Sequence, residues 1–396
     1  MTATAAVAAP ARRDYAALAH ELAPVFAERA AHYDAASEFP SDNFDDLVRS
    51  GYTAMTVPTR YGGGGATLAQ LCQAQEILAA ACGSTAFAVN MHVHGLAMIA
   101  QLDDPRYEWI FRAVVDDGAV IAGGFSEPGV GGNWWYPTST AELVDGGYRV
   151  SGRKSFFTGF PGATLLFLSA ALPDPLGLPM PVGFLIPRPA RGLEVTATWD
   201  AAGMRATGSH SLRVDNLVIP ARYRIGDEGE LPMIFLRGVH WAWCSFASVF
   251  LGIARGAADL VASTQRERRL QVIDRPLAHL PGIQFKVADM VTRLAAAQAY
   301  LSAAIAANHD IDEDPLGHYV DMSLMKVTVC RLAHEIVTLA MQVQGGSGLV
   351  SASPLQRMYR DVVAGLLVPP TPDLVQEWAG KRALGVPVLD EPRWEG

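Results

Sequence analysis

The chain is poor in cysteine, and the four it has, Cys72, Cys82, Cys244 and Cys330, form no Cys-x-x-Cys pair and no disulfide-framework spacing. That excludes a disulfide-stapled scaffold, and a reducing, cytoplasmic location is expected, with each thiol serving as a small core residue. Positive charge is also in deficit: 31 Lys and Arg stand against 40 Asp and Glu, a net charge of -9, with no dense basic run. The electrostatic footprint for nucleic acid or an anionic membrane face is missing, so neither partner is expected. No uninterrupted apolar run reaches membrane-spanning length, and the Ala-rich start lacks a basic head followed by an apolar core, so it reads as a frayed tail. The glycine run Gly62 to Gly65 is not followed by Gly-Lys-Ser/Thr. It therefore reads as a turn into a helix capped by Thr67, not as a phosphate loop.

What is present is a chain of 396 residues, 50% hydrophobic and 18% charged, enough to bury a large core in two or three units. From Asp14 to about Val120 apolar residues recur at helical spacing, as in Leu18, Leu22, Val25 and Phe26. Between Ala119 and Gly226 the pattern changes to short runs such as Leu165 to Leu168 and Val182 to Ile186, punctuated by Gly and Pro. Long helical stretches return from Met233 to about Gly380. The fold class is α+β: an N-terminal all-helical domain over 11–120, a central β-domain over 121–228 and a C-terminal helical bundle over 229–385, with tails at 1–10 and 386–396.

Ordered motifs run through all three blocks. They are Val57-Pro58 to Gly65, Phe125-Ser126-Glu127-Pro128-Gly129-Val130-Gly131-Gly132-Asn133, Ser151 to Gly159, Gly203 to Ser209, Gln342 to Gly348 and Pro354 to Asp361. Any one is weak, but the set in this order resembles the acyl-CoA dehydrogenase superfamily over nearly the whole chain. The resemblance implies a helical domain, a small β-barrel domain and a four-helix bundle assembled as a homotetramer, with flavin between the β-domain and the bundle. Carried over residue by residue, Ser126 would hold the flavin pyrimidine edge, and Gly131, Gly132, Asn133 and Gly159 would also bind flavin. Phe156 and Thr158 would flank its ring near N5. Gln342, Gly345, Gly346, Arg268 and Thr371 would serve its remaining parts. By residue type alone Gly345-Gly346 is a helix C-cap or an anion nest, and the resemblance favours the flavin pyrophosphate.

Departures from that pattern decide the branch. In the family a Glu-Gly-Thr turn supplies the base that removes the α-proton of a thioester, and here the turn reads Pro369-Pro370-Thr371. Proline cannot accept a proton. The alternative base position, on the first helix of the bundle, reads Trp241-Ala242-Trp243. The Arg-x-x-Phe-Gly grip on a neighbouring subunit's adenine nucleotide is replaced by Leu270 to Asp274, leaving Arg268 or Arg269 as substitutes. Phe157-Thr158-Gly159 and Ala206 to Ser209 look more like the flavin-dependent monooxygenase branch, which draws reduced flavin from a separate reductase and acts through a C4a-hydroperoxyflavin. No metal is expected.

Two features stay open at this level. Trp134-Trp135 follows the flavin turn and is equally a packed domain seam or a substrate wall. His92 and His94 would share one face of a strand, but the run from Thr85 to Leu102 is long for a strand and reads as a helix, on which they diverge. In the monooxygenase branch a histidine of this helix faces the flavin, and His92 is the closer match; His210 and His240 rank below it. The expected function is thus a two-component flavin monooxygenase using FAD or FMN and O2 on a small organic substrate, with His92, Ser126 and Trp134 as the catalytic set. The alternatives are a dehydrogenase with a base relocated to Asp373 or Glu377, and a flavin-free, redox-neutral member.

Overall fold

A computed structural model describes residues 13–130, 135, 137–173, 179–189, 191–272, 274–307 and 311–390. The first block is helical: α1 (Tyr15–Ala36), α2 (Ser41–Arg49), α3 (Leu68–Ala81), α4 (Gly83–Ala100) and α5 (Glu108–Asp117). Local chemistry sets several of their starts. Asp14 caps α1 by accepting from the Ala17 N–H at 3.0 Å, and Thr67 with Gln70 forms a reciprocal capping box on α3. The glycine run before Thr67 is a turn, as its missing lysine implied.

The central block holds β1 (Ile121–Gly124), β2 (Thr140–Val144), β3 (Gly147–Phe157), β4 (Leu165–Pro173), β5 (Pro179–Pro187), β6 (Leu193–Ala197), β7 (His210–Pro220) and β8 (Arg224–Ile225). These form one sheet in the order β6-β7-β3-β2-β4-β5-β8, with β1 joined in parallel to β4. Its own apolar core includes Val150, Phe157, Leu168, Phe184 and Leu212. β3 and β7 lose register between Lys154 and Phe157, a bulge that turns the end of β3 out of the ladder beside the expected cofactor turn.

The third block is α6 (Leu231–Glu267), α7 (Pro281–Ala306), α8 (Pro315–Gln344), α9 (Pro354–Val362), α10 (Ala364–Leu367) and α11 (Pro372–Leu384). By length and hydropathy α6 could cross a membrane, yet 78% of that apolar window is buried inside the protein. It is the central helix of the core, packed on both α3 and α8. Gly252 permits the first contact, because a Cβ there would lie 2.2 Å from the Glu76 carbonyl oxygen.

A junction of charge ties the blocks together. Arg360 of α9 grips the Asp34 carboxylate of α1 at 2.5 and 3.1 Å and donates to the Ala202 carbonyl of the β-domain at 2.8 Å. The neighbouring Asp361 is buried and accepts from the Met204 N–H at 2.6 Å. Burial pushes its carboxyl up to about 6, despite that bond. Both side chains are spent on contacts between the blocks. Replacing Gly252 by alanine forces α3 and α6 apart, and thermal unfolding is expected to register a loss of about 1–3 kcal/mol, the usual cost of overpacking.

Candidate active site

The turn that follows β1 carries Phe125, Ser126 and Glu127, and a buried ion pair fixes it. Glu127 and Lys154, both with fully buried side chains, are in direct contact. Glu127 Oε2 also accepts from the Thr138 hydroxyl at 2.6 Å and the Ser139 N–H at 2.8 Å. Burial alone would push the carboxyl up, but Lys154, Thr138 and Ser139 together hold it below its usual range. Lys154 spends its remaining protons on Ser169, reaching the carbonyl at 2.5 Å and the hydroxyl at 3.0 Å. Ser126 is then held through its carbonyl, which accepts from the Ser155 N–H at 2.9 Å, while its half-buried hydroxyl makes no hydrogen bond among the described residues.

Beyond the bulge, Phe156 sits at φ +55° with 59% of its surface exposed, its ring edge-on to Trp199 at 5.9 Å. A bulky residue in the left-handed region is strained, and it persists only where its surroundings over-determine it. Here Ser155 and Thr158 on either side are both pinned by backbone bonds. The arrangement presents a flat aromatic face next to Ser126, which suits a planar ligand.

Two neighbours differ from expectation. The Thr158 hydroxyl is buried and engaged by Ser209 Oγ at 2.9 Å, and the Gly159 N–H donates to the Thr207 carbonyl at 3.0 Å. Both groups close the β-domain against its own Thr207–Ser209 loop, and the Gly159 N–H has no bond left for a ligand. Gly131, Gly132, Asn133 and Trp134 lie outside the described residues.

His92 is the main correction. On α4 it is fully buried, its Nε2 2.9 Å from the Thr53 carbonyl and its Nδ1 accepting from the Ile121 N–H at 3.0 Å. Those partners require a neutral Nε2–H imidazole, since a proton on Nδ1 would face the Ile121 N–H. Burial pushes its pKa down to about 4, only partly opposed by the Thr53 carbonyl. His92 therefore staples three segments and has no nitrogen free for chemistry. His94, about 200° around the helix, turns to the bundle instead and lies 5.4 Å ring to ring from Phe246. Neither of its nitrogens completes a hydrogen bond among the described residues, the Asn90 carbonyl one turn back falling short of bonding geometry. Burial likewise pushes His94 down to about 4.

From His94 an aromatic wall runs to the turn. Phe246 meets Trp243 at 5.7 Å, Trp243 meets Phe235 at 5.7 Å, and Phe235 meets Phe125 at 5.4 Å. Tyr319 of α8 joins it, 6.3 Å from Trp243, 6.2 Å from Trp135 and 5.3 Å from Trp378 of α11. Trp135 thus belongs to this wall. Trp243 is 5% exposed with an indole N–H that has no partner among the described residues. Trp241, two positions away, turns aside to His240. The sequence reading weighed His94 but set it behind His92, and it missed Phe235, Tyr319 and Trp378, which come together with His94 only in three dimensions. His210 is occupied, its Nδ1 accepting from the Trp199 N–H at 3.0 Å.

The Pro369-Pro370-Thr371 turn leads into α11, which carries Trp378 of the wall. The buried Lys326 ammonium holds it by donating to the carbonyls of Gly365, Val368 and Pro370 at 3.3, 2.5 and 3.3 Å. Thr371 is half-buried and its hydroxyl makes no hydrogen bond among the described residues. Asp373 is exposed, and Glu377 is paired with Lys381 at 2.8 Å.

The remaining expected cofactor residues are elsewhere. Arg268, Gln342, Gly345 and Gly346 are exposed, and Arg268 donates to the Gln344 carbonyl and Ser347 Oγ, each at 3.2 Å. Lys286 takes the Gln342 side chain at 2.7 Å. Between Phe235 and Arg268 lie 32 residues of α6, about 50 Å at 1.5 Å per residue. One chain does not bring the two groups together.

Replacing His92 by alanine strands two buried backbone groups and is expected to cost about 1–3 kcal/mol each way it is measured, by heat or denaturant. Glutamine can both donate to Thr53 and accept from Ile121, so His92→Gln should lose less. The His92 pKa lies below its unfolded value, so its contribution is present above pH ~6.5 and lost as pH falls toward about 4, roughly 3 kcal/mol at most. Unfolding curves across that window should be flatter for His92→Gln than for the parent protein.

Models of the acyl-CoA dehydrogenase N-terminal, middle and C-terminal domains match residues 13–103, 122–217 and 244–367. The putative acyl-CoA dehydrogenase YdbM of Bacillus subtilis is 30% identical over 369 residues, covering 89% of this chain and 92% of that one. The amino sugar nitrososynthase RubN8 of Streptomyces rubradiris is 29% identical, covering 93% and 88%. Among solved structures, KijD3 in complex with FMN and dTDP-3-amino-2,3,6-trideoxy-4-keto-3-methyl-D-glucose superposes with a TM-score of 0.85 at 27% identity, covering 97% and 96%. Three matched domains in the observed order, over a shared architecture, make this chain a member of the acyl-CoA dehydrogenase family.

Proposed function

We propose that this chain is a flavin-dependent monooxygenase of the two-component type, acting in the cytoplasm on a small organic substrate with O2 and with reduced FAD or FMN delivered by a separate reductase. The observation that carries the reading is the absence of a usable base. Neither position that holds the family's glutamate has a carboxylate, Asp373 points to solvent and Glu377 is committed to Lys381. Without such a base, α-proton abstraction from a thioester has no acceptor. The FMN held by KijD3 and the nitrososynthase activity in the name of RubN8 support the same reading. The location is supported by four unpaired, buried cysteines.

The residues present fit a flavin ring. Phe156 offers an exposed flat face, Ser126 an uncommitted hydroxyl and Thr371 another across the cleft. The flavin would supply the activation of oxygen. The chain's own contribution is to orient that ring, to exclude water with the aromatic wall, and to hold a proton at the His94 imidazole, which is neutral near pH 7 and so donates from one nitrogen while accepting at the other. The flavin's remaining parts cannot reach Arg268, Gly345 and Gly346 of the same chain across about 50 Å of helix. A second copy would have to supply that patch, which supports a homo-oligomer and is compatible with a tetramer.

Protein preloaded anaerobically with reduced FMN, and separately with reduced FAD, is expected to be reoxidised by oxygenated buffer more slowly than the free flavin and in more than one phase. Reoxidation at the free-flavin rate, together with dye-linked oxidation of butyryl-CoA, would return the chain to dehydrogenase chemistry. His94→Ala is expected to speed the non-productive release of hydrogen peroxide at least several-fold while leaving the unfolding temperature nearly unchanged, the reverse of His92→Ala.

A further inference from the structure

Thirteen of the 18 residues of α4 are buried. Four of the rest, Met91, His94, Gly95 and Met98, recur at helical spacing and so form one stripe that is left partly accessible. The stripe touches the aromatic wall directly, since the His94 ring lies 5.4 Å from that of Phe246. Its direction follows from the helical period. Gly95 stands on the helix circumference between His94, which meets Phe246 of α6, and His92, which accepts from the Ile121 N–H of β1. The accessible side of α4 therefore faces the seam between β1 and α6, the elements that lead to Phe125 and contain Phe235.

Gly95 is the anomaly in that stripe. Glycine inside a helix is less favourable than alanine, so its presence calls for a cause. Elsewhere in the described α-helices the cause is a neighbour, or the residue faces water. A Cβ at Gly83, Gly238, Gly252, Gly256, Gly317 or Gly365 would come within 2.9 Å of another group, while Gly282 and Gly380 have open space and are exposed. At Gly95 a Cβ would meet nothing within 4 Å, yet the residue is half-buried. The room beside it is neither filled by the protein nor fully open to water. Met98 lies one turn further on, and a helical side chain leans back over the turn before it. It leaves Gly95 uncovered and packs on α6, its Cγ 2.9 Å from the position a Cβ would take on Gly238. Met91 and Met98 thus stand about 10 Å apart along the helix axis as two ridges with a glycine floor between them. A flat ring suits that shape, and thioethers make favourable contacts with aromatic rings. At the side of the floor His94 Nδ1 is buried without a partner among the described residues, so a guest lacking a hydrogen-bonding group would leave it unsatisfied.

We infer that Gly95 sets the width of the substrate pocket. The room left by its missing side chain receives the flat ring of an aromatic substrate, which lies on α4 between Met91 and Met98 and brings a hydroxyl to His94. This rests on the monooxygenase reading for its chemistry but not for its binding, so the test is a binding measurement. Calorimetric titration of the full-length protein with oxidised FMN present would compare 2-naphthol with its saturated analogue decahydro-2-naphthol. The proteins would be the parent, Gly95→Ala, Gly95→Leu and the control Gly380→Ala. 2-Naphthol should bind the parent about tenfold more tightly than the puckered analogue. Gly95→Ala should weaken 2-naphthol about threefold and Gly95→Leu about twentyfold or more, while Gly380→Ala leaves it unchanged. Both alanine variants should unfold at the parent's temperature or above it, because each gains helix propensity and neither new methyl meets a neighbour. A 2-naphthol affinity indifferent to Gly95→Leu would overturn the inference. So would a failure of 2-naphthol to bind the parent, equal binding of the saturated analogue, or a lower unfolding temperature for Gly95→Ala. Failure of the monooxygenase reading would appear separately, as reoxidation of reduced FMN at the free-flavin rate.

Discussion

Two lysines removed almost wholly from water, Lys154 and Lys326, hold the turns that carry Ser126 and Thr371. Burying a charge is costly unless each of its protons finds an acceptor, and in both cases three acceptors are supplied. For Lys154 they are Glu127 and the two oxygens of Ser169, so the turn bearing Ser126 cannot move without uncovering an ion pair. For Lys326 they are three main-chain carbonyls, so it is the Pro369-Pro370-Thr371 turn that cannot move. The penalty for relaxing either turn is the desolvation of a charge with nothing to pair it. Turns held in this way keep their shape without a ligand, and pre-formed geometry is what positions a reactant most effectively.

Much of the architecture was legible because it is written in local signals. Helical period in α1 and α3, the Thr67 capping box and the short Gly- and Pro-bounded runs of the β-domain each follow from residues close in sequence. The site was less legible for a physical reason visible in α4. Val89, Val93 and Leu96 are fully buried on one side while Phe87 and Met91 pack on another. With apolar residues all around, no amphipathic stripe tells which histidine faces which neighbour. The choice between His92 and His94 then depends on tertiary partners, Thr53 and Ile121 for the first and Phe246 for the second. Lys326 was hidden in the same way, one charge within a long helix that would ordinarily be read as solvated. Thr158 and Gly159 had the residue types of a ligand contact, but the Thr207–Ser209 loop takes both.

The exposed patch at Arg268 and Gly345 makes a related point about motifs. A linear pattern records which residues serve one ligand, but not whether they do so within one chain. The 37 residues of α6 form an uninterrupted helix, and its stiffness converts sequence separation directly into distance. The residues at its two ends can serve a common ligand only across an interface. The Arg268 bonds to Gln344 and Ser347 keep the patch ordered while leaving the Gly345-Gly346 backbone facing outward.

The proline turn has a further consequence for proton movement. Pro370 lacks an N–H donor, and the Pro370 carbonyl is taken by Lys326 together with those of Gly365 and Val368. This edge of the cleft therefore offers the Thr371 hydroxyl and little else that could exchange a proton. The aromatic wall offers only indole and phenol groups. Of the imidazoles, His92 is locked by its two backbone partners. His94 packs against Phe246 of the wall, and His240 of α6 faces His318 of α8 with rings 5.5 Å apart. A proton needed in the proposed reaction would come from the substrate, from the cofactor or from one of these imidazoles. Because burial keeps His94 neutral until well below physiological pH, it can pass a proton between its nitrogens without first acquiring charge in an apolar setting. That separates this cleft from one built around a carboxylate base, whose protonation would change the local charge at every turnover.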